Sequence, residues 1–353
     1  MTTRLAHRLP PRLAVLVETP AVALVNLGVL ALLVAALPPL LDWAVFSAVW
    51  RADDMRGCPP AGGACWAFIG DKARLIFFGL YPYGEQWRAA LATALLVALV
   101  VVSLNPRCWS RRLALAWGLG LAVYSLLMWG GLLGLAPVES AYWGGLPLTV
   151  LLTVFGVFFG LILAVPVALA RFSDLPVFKA AATLYVELVR GVPLISVLFM
   201  ASVLLPIFLP DGFTPSGLGR VLAGIVLFFT AYMAEVLRGG LQAIPRGQYE
   251  ASRSLGLSYP VMMARVVLPQ AFQTILPALI NLIIAALKGT SLVVIVAMLD
   301  LLGAAQAALA DPDWIGFYVE DYVFVAAVYA IMCGSISWYG RRVERNLGSA
   351  QSR

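Results

Sequence analysis

The stretch QAIPRGQYEASRSLGLSYPVMMARVVLP, from Gln242 to Pro269, decides how the rest of this chain is interpreted. It is long and polar, and it lies between two apolar runs in the C-terminal two-thirds of the sequence. Good helix formers follow Pro245 as far as Leu255, and Gly256 then stands where a left-handed residue ends a helix. The pattern predicts a first short helix that stops at this glycine.

A second short helix is predicted directly after that glycine. Ser258 occupies the N-cap position, Pro260 lies in the first turn, and Leu268-Pro269 is expected to end the helix. Two short helices that meet at an angle between two membrane spans form a rigid projection on one side of the membrane. We refer to residues 242–269 as the 242–269 loop.

The 242–269 loop resembles the EAA loop of ABC importer permeases, whose signature is E-A-A, a later Gly and a terminal I-x-L-P. The matching residues are Glu250, Ala251, Gly256, Leu268 and Pro269. Ser252 stands in place of the second Ala, and Val266 in place of the Ile. In that family the loop is the coupling helix that docks in a cleft of the ATPase subunit. The alternative is an ordinary amphipathic cytoplasmic loop. The full spacing of the motif argues against this alternative.

Composition places the chain in a membrane. Hydrophobic residues make up 62% of the 353 residues and charged residues only 12%. A helix needs about 20 apolar residues to cross the hydrocarbon core of a bilayer. The eight predicted spans are Ala21–Leu41, Ala89–Leu104, Leu113–Leu135, Leu146–Ala170, Leu184–Leu209, Leu218–Leu237, Thr274–Leu299 and Val319–Trp338. The first is too long and too far from the N-terminus to be a cleaved signal peptide.

The distribution of Lys and Arg predicts that both termini are cytoplasmic. In that orientation sixteen of the 24 basic residues lie in cytoplasmic segments and six in external loops. The cytoplasmic ones are Arg4, Arg8, Arg12, Arg107, Arg111, Arg112, Arg171, Lys179, Arg238, Arg246, Arg253, Arg265, Arg341, Arg342, Arg345 and Arg353. The net charge of +6 is therefore explained by the excess of basic residues on the cytoplasmic side, where they face the anionic inner leaflet. It implies no nucleic-acid partner.

Cys58 and Cys65 lie in the first external loop, residues 42–88, and are separated by prolines and glycines that permit a tight reversal. On the oxidising side of an inner membrane they form either a disulfide or two free thiols. Without His or further Cys nearby, they do not indicate a metal site. Cys108 and Cys333 are interpreted as packing residues, and the one histidine, His7, receives no role.

The sequence contains no catalytic motif: a P-loop, H-E-x-x-H, G-x-S-x-G and a Cys/His metal cluster are all missing. The chain is therefore not predicted to be an enzyme or to have a cofactor of its own. ATP and Mg²⁺ are expected on a partner subunit.

Four further segments resemble the polar amino-acid ABC permeases. Thr149 to Ser173 is similar to the first core helix of these proteins. Tyr185–Leu194 matches their Y-x-E-x-x-R-G-x-P-L pattern, and Ala231–Gly239 matches A-Y-x-x-E-x-x-R-G. Lys288–Leu292 matches K-D-T-S-L, except that Gly289 replaces the Asp.

This resemblance implies an all-α polytopic membrane protein with about eight transmembrane helices. Residues 141–345 form the expected five-helix core of a type I ABC importer permease, and residues 1–140 an extension of three helices. The extension, with its periplasmic loop at residues 42–88, is similar to the longer permease subunit of general L-amino-acid importers of Gram-negative bacteria. The implied partners are a related permease in a heterodimer, two ABC ATPases, a periplasmic amino-acid-binding protein and the lipid of the inner membrane.

Four ionisable residues within or directly after predicted spans form two pairs at a spacing of three, Glu187 with Arg190 and Glu235 with Arg238. Residues three apart share one face of a helix. Charges within spans are costly and are usually functional. Each pair either neutralises itself and fixes helix depth, or lines the substrate path or the cytoplasmic gate.

Lys288 lies about 21 Å into its predicted span, past the middle of the bilayer, at the rise of 1.5 Å per residue. Gly289, in place of the family's Asp, leaves Lys288 without an obvious counter-ion in the chain. Gly289, Thr290 and Ser291 are expected to weaken the helix and expose N–H donors, as broken transporter helices do. Lys288 then contacts a substrate carboxylate or an acid of the partner subunit. The alternative is a buried neutral amine that is hydrogen-bonded to Thr290 or to backbone.

The sequence thus predicts the permease subunit of an ATP-driven ABC importer that carries L-amino acids from the periplasm to the cytoplasm. The candidate ATPase-coupling residues are Glu250, Ala251, Gly256, Leu268 and Pro269. The candidate residues of the substrate path are Lys288, Thr290, Ser291, Glu187, Arg190, Glu235 and Arg238. The alternatives are an ABC permease for another small polar solute and an ion-coupled secondary carrier, which leaves the EAA-type spacing unexplained.

Overall fold

A computed structural model describes residues 19–58, 62–105, 108, 110–210 and 215–351. Seven helices in this part of the chain are long and apolar enough to cross a membrane, and a bent pair of helices brings the number to eight. The prediction of an all-α protein with about eight transmembrane helices is confirmed. The sequence interpretations that involve Arg4, His7, Arg8, Arg12, Arg107 and Arg353 lie outside the described residues.

The α-helices are numbered here in chain order. They are α1 (Pro20–Leu41), α2 (Trp66–Phe78), α3 (Gln86–Ser103), α4 (Arg111–Trp129), α5 (Gly145–Phe172), α6 (Pro176–Arg190), α7 (Leu194–Phe199), α8 (Leu205–Phe208), α9 (Gly217–Ala243), α10 (Arg246–Ser254), α11 (Tyr259–Met262), α12 (Leu268–Gly289), α13 (Leu301–Ala308) and α14 (Tyr318–Gln351). Three π-helical turns extend or join them: Asp42–Phe46 after α1, Met200–Leu204 between α7 and α8, and Met263–Val267 between α11 and α12. A 3₁₀ segment, Thr290–Val296, continues α12.

The predicted single span Leu184–Leu209 is wrong. The structure ends α6 at Arg190 and starts α7 at Leu194, and the two halves of this segment are bent by 105°. Pro193 explains the break, because proline lacks an N–H and disfavours a helical conformation in the residue before it. An apolar run therefore continues through a point where the backbone turns.

Two other predicted spans end elsewhere in the structure. Helix α4 stops at Trp129 rather than at Leu135, because Gly130 and Gly131 adopt φ of +66° and +78°. Regular α-helix in the seventh span ends at Gly289 rather than at Leu299, and tighter 3₁₀ turns follow. Helices α2 and α13 lie outside every predicted span.

Glycines allow the long helices of the core to pack closely. A Cβ at Gly156 of α5 would lie 2.5 Å from Cγ2 of Ile225 on α9. A Cβ at Gly240 of α9 would lie 2.4 Å from Cγ2 of Ile275 on α12. In a membrane, close van der Waals packing at small residues is a principal source of helix association. Helix α9 is thereby held between α5 and α12.

The chain divides into two compact units, one of residues 1–71 with 311–320 and the other of residues 72–310 with 321–353. In the first unit, the Phe68 ring lies 5.9 Å from that of Trp314 and 6.0 Å from that of Phe317. The Trp314 Nε1–H donates to Oδ2 of Asp71 at 2.9 Å. These boundaries differ from the predicted division into an extension, residues 1–140, and a permease core, residues 141–345. That division stays a prediction about domain organisation.

Candidate functional site

The first helix of the 242–269 loop ends at a left-handed glycine. Gly256 has φ of +71°, as the sequence predicts. The Leu257 N–H donates to the carbonyl of Ser252 at 3.1 Å, and the Gly256 N–H to that of Arg253 at 2.9 Å. These two bonds form a Schellman motif, which satisfies carbonyls that the end of α10 would otherwise leave unpaired.

The second helix of the loop does not end at Leu268-Pro269, and that expectation is wrong. The π-helical turn Met263–Val267 leads directly into α12, and Pro269 lies in the first turn of α12. A residue without an N–H is tolerated at this position of a helix. The loop is therefore continuous with the long helix that follows it.

Glu250 and Ala251 are exposed on α10, so the motif presents a carboxylate and a small residue outward. Ser252, which replaces the second Ala of the family signature, is only 3% exposed. Its hydroxyl donates to the carbonyl of Gln248 at 2.7 Å. Because that bond satisfies the hydroxyl, the substitution of Ser for Ala is accommodated without an unpaired polar group.

Tyr249 attaches α10 to two core helices. Its hydroxyl donates to the carbonyl of Leu241 on α9 at 3.1 Å. Its ring stacks on that of Phe172, the last residue of α5, with centroids 6.2 Å apart. The loop is thus continuous with α9 on one side and α12 on the other, and it is also in contact with α5.

Five charged residues from α5, α6 and α9 form a group that we call the Arg171 cluster. Glu235 pairs with Arg171, with Arg238 at 2.6 Å and with Arg190 at 3.6 Å. Arg171 also pairs with Glu187 at 3.0 Å. Three arginines and two glutamates leave the cluster with one excess positive charge.

The predicted pairing within each helix is only half right. Arg238 and Glu235 are bonded as expected, but Glu187 pairs with Arg171 rather than with Arg190 in the described part of the chain. The reason is geometric, since α5 places a guanidinium between the carboxylates of α6 and α9. Arg171, which joins the three helices, was not predicted as a site residue.

The segment from Lys288 to Ser291 lies where α12 changes to 3₁₀ helix, so the expected weakening of the helix is present. Lys288 is exposed, and its interpretation as a buried amine is wrong. Thr290 instead is 1% exposed and donates to the carbonyl of Leu287 at 2.8 Å. Ser291 donates to the Lys288 carbonyl at 2.8 Å. The segment therefore directs its charge outward and its threonine inward.

A buried carboxylate near this segment was not predicted as a site. Asp300 is fully buried and caps α13 by accepting from the Gly303 N–H at 2.9 Å. Its other oxygen accepts from the Tyr329 hydroxyl at 2.9 Å, and that hydroxyl lies 3.4 Å from Oγ1 of Thr290. Burial raises the pKa of Asp300 above its ordinary value of 3.8. The network connects the Lys288 segment to α14.

Cys58 and Cys65 are joined by a disulfide, with their Cα atoms 5.9 Å apart. The Cys65 N–H donates to Oε1 of Glu320 at 3.1 Å within the same compact unit. Cys108 and Cys333 are free. In the described residues no group of three or more His, Cys, Asp or Glu side chains is placed to hold a metal ion.

Comparison with known proteins assigns these features to one family. Residues 156–348 match the family described as binding-protein-dependent transport system inner membrane component. The chain belongs to this family, and it is the permease subunit of an ABC importer, a multi-pass protein of the inner membrane. Such a subunit is not itself an enzyme and works with an ATPase and a binding protein.

Individual relatives resemble this chain over nearly its whole length. The inner membrane amino-acid ABC transporter permease protein YhdY of Escherichia coli (strain K12) is 41% identical over 339 residues, which cover 94% of this chain and 90% of the relative. The glutamate/glutamine/aspartate/asparagine transport system permease protein BztC of Rhodobacter capsulatus is 34% identical, with 92% and 90% covered. A solved structure of an amino acid ABC transporter with histidines is 33% identical and covers 57% of this chain and 92% of its own, with a TM-score of 0.51.

Proposed function

We propose that this chain carries L-amino acids from the periplasm to the cytoplasm, in a heterodimer with a related permease and with two ATPases that bind ATP and Mg²⁺. Relatives named for amino-acid transport support the substrate class. The proposed orientation has both termini and the 242–269 loop in the cytoplasm, as the bias of Lys and Arg favours. Residues 141–345 form the permease core, and residues 1–140 its extension.

The geometry of the 242–269 loop is the observation that carries this proposal. Its first helix is exposed, turns at Gly256 and continues into α12, so a force applied to the loop reaches a transmembrane helix. We assign ATPase docking to Glu250, Ala251 and Gly256. Leu268 and Pro269, where α12 begins, complete the docking element.

The substrate path is assigned to the segment from Lys288 to Ser291 and to the four members of the Arg171 cluster other than Arg171 itself. Lys288 is exposed and Ser291 lies beside it, while Thr290 supports them from the interior. Glu187, Arg190, Glu235 and Arg238 belong to the cytoplasmic end of the path in the proposed orientation. The positive charge of Lys288 suits the carboxylate that all amino acids share.

The substitution Glu250→Lys tests the coupling role. Its carboxylate is expected to meet a positive group of the ATPase, and loss of a desolvated charge pair costs roughly 2–5 kcal/mol. Co-purification of the ATPase and uptake of amino acids should both be lost, while membrane insertion is kept. Glu139→Lys, the same charge change at an exposed residue of the predicted external side, is the control and should leave both unchanged. Wild-type ATPase association and uptake by the Glu250 variant would show that the loop does not dock the ATPase.

A further inference from the structure

Two adjacent residues at the end of α5 contact different elements of the permease. Phe172 stacks on Tyr249 of the 242–269 loop, with ring centroids 6.2 Å apart. Arg171, immediately before it, pairs with Glu187 of α6 and Glu235 of α9. The last turn of α5 therefore touches the loop on one side and the Arg171 cluster on the other.

The guanidinium of Arg171 uses two separate nitrogens for its two partners. Nη1 bonds the Glu235 carboxylate, and Nη2 bonds Glu187 at 3.0 Å. Its side chain is only 8% exposed, so these bonds are shielded from water at the arginine end. A planar fork of this kind holds two carboxylates in a fixed relation, which a lysine ammonium cannot do.

The Arg171 cluster lies next to the bend between α6 and α7. Glu187 and Arg190 occupy the last turn of α6, directly before the break at residues 191–193. Arg190 reaches Glu235 at 3.6 Å, and its Cζ lies 5.7 Å from the centroid of the Tyr232 ring on α9. Next to the bend, α6 is thus joined to α9 by charge pairs that meet at Arg171 and Glu235, in addition to the hydrogen bond from the Tyr185 hydroxyl to the carbonyl of Leu227.

We infer that Arg171 is a positioning residue for transport, which relays movement of the 242–269 loop, received through Phe172, to the bent segment α6–α7. The inference rests on the proposed coupling function of the loop. Displacement of α10 by the ATPases carries the Tyr249 ring and, through the stack, the end of α5. Arg171 moves with it and shifts α6 through Glu187, while its bond to Glu235 connects this movement to α9, which itself leads directly into the loop. The bend then responds to the nucleotide state of the ATPases.

The test compares amino acid transported with ATP hydrolysed in the complete transporter, reconstituted in proteoliposomes with its binding protein. The probe is a ¹⁴C-labelled mixture of the common L-amino acids. In Arg171→Gln, the amount transported per ATP should fall about fivefold to 150-fold, the range typical of coupling between two sites. ATPase association and ATP hydrolysis should persist. Arg171→Lys should give an intermediate ratio, because an ammonium bonds one carboxylate without the fork.

Two further variants separate the relay from a general structural role. Phe172→Leu should lower the same ratio while leaving the cluster intact, and the double variant with Arg171→Gln should be no worse than the more affected single one, because both act on one route. Arg111→Gln, which removes an exposed arginine at the start of α4, should keep the wild-type ratio.

A wild-type ratio in Arg171→Gln overturns the inference, as does an equal fall in transport and ATP hydrolysis. Loss of the bound ATPase from that variant would also overturn it, because Arg171 would then act in docking. If Arg171→Gln does not accumulate in the membrane, Glu187→Gln carries the test, since Glu187 is 61% exposed and only one arm of the fork is lost. A failure of the proposed coupling function of the loop gives a different result from a failure of the Arg171 inference. In the first case Glu250→Lys retains transport; in the second Glu250→Lys loses transport but Arg171→Gln keeps the wild-type ratio.

Discussion

Gly256 provides a sharp test of how the 242–269 loop is built. Its φ of +71° is in the left-handed region, and a Cβ built there would meet no atom within 4 Å. A substitution should therefore cost only backbone strain, about 1–2 kcal/mol for most L-residues. A change of this size alters an equilibrium by a factor of roughly 5–30. That is enough to populate conformations in which α10 is oriented differently relative to the rest of the loop.

The nature of the side chain sets the expected order of effects. Gly256→Asn should be close to wild type, because asparagine adopts the left-handed conformation at low cost. Gly256→Ala should weaken ATPase co-purification and uptake, and Gly256→Val should abolish both, because β-branched residues are outliers at positive φ. Gly256→Asp has a conformational cost similar to that of Asn but adds a negative charge to the loop, and this charge is expected to detach the ATPase.

A matched glycine in the same helix serves as the control. Gly247 lies in α10, and a Cβ there would also meet no atom within 4 Å, but its φ is not positive. Gly247→Ala should leave ATPase association unchanged and stabilise the helix by up to about 1 kcal/mol. Thermal unfolding in detergent and co-purification measure the two effects. The reasoning is refuted if Gly256→Asn and Gly256→Ala are equally defective, because conformation would then not be the cause.

Three further outcomes are expected. Purified protein should show no free thiol at Cys58 or Cys65, and replacing both by Ser should destabilise the first compact unit by about 2–3 kcal/mol; two labelled thiols under oxidising isolation would contradict this. Because the pKa of Asp300 is raised, its ionisation opposes folding, so the free energy of unfolding should fall as pH rises from 3.8 through the raised pKa. Asp300→Asn keeps an N-cap residue and should abolish this pH dependence of stability in thermal melts. An unchanged pH profile in this variant would show that Asp300 is not the group that titrates. In right-side-out vesicles a membrane-impermeant thiol reagent should label Cys58 after reduction but not a Cys introduced at Arg253, and the reverse labelling would invert the topology.

The parts of the molecule that the sequence predicts well are local. The left-handed glycine of the 242–269 loop and the ends of α1 and α5 depend on caps, turns and apolar length within a few residues. Each of these signals is present in a short window. Gly256 is the clearest case, because only a residue without Cβ adopts this conformation freely.

The features that the sequence did not reveal depend on contacts between distant segments. Arg171 is 16 residues from Glu187 and 64 from Glu235 along the chain, so no helical spacing indicates their pairing. At the end of a span it has the appearance of an arginine that extends toward the membrane surface. The 105° bend after Arg190 lies inside a continuous apolar run, in which only Gly191 and Pro193 mark the turn.

Gly289, where the sequence departs from the family pattern, packs against the helix that follows the same bend. A Cβ at Gly289 would lie 3.1 Å from Cδ2 of Leu194, the first residue of α7, so that leucine side chain would have to shift by a few tenths of an ångström to admit an Asp. Apolar packing against α7 thus replaces the acid that K-D-T-S-L places next to its lysine. In the described residues no ion pair forms at Lys288, which is exposed. Its charge is therefore available to an anionic group from outside the chain, as the proposed role of Lys288 in binding a substrate carboxylate or an acid of a partner permease requires.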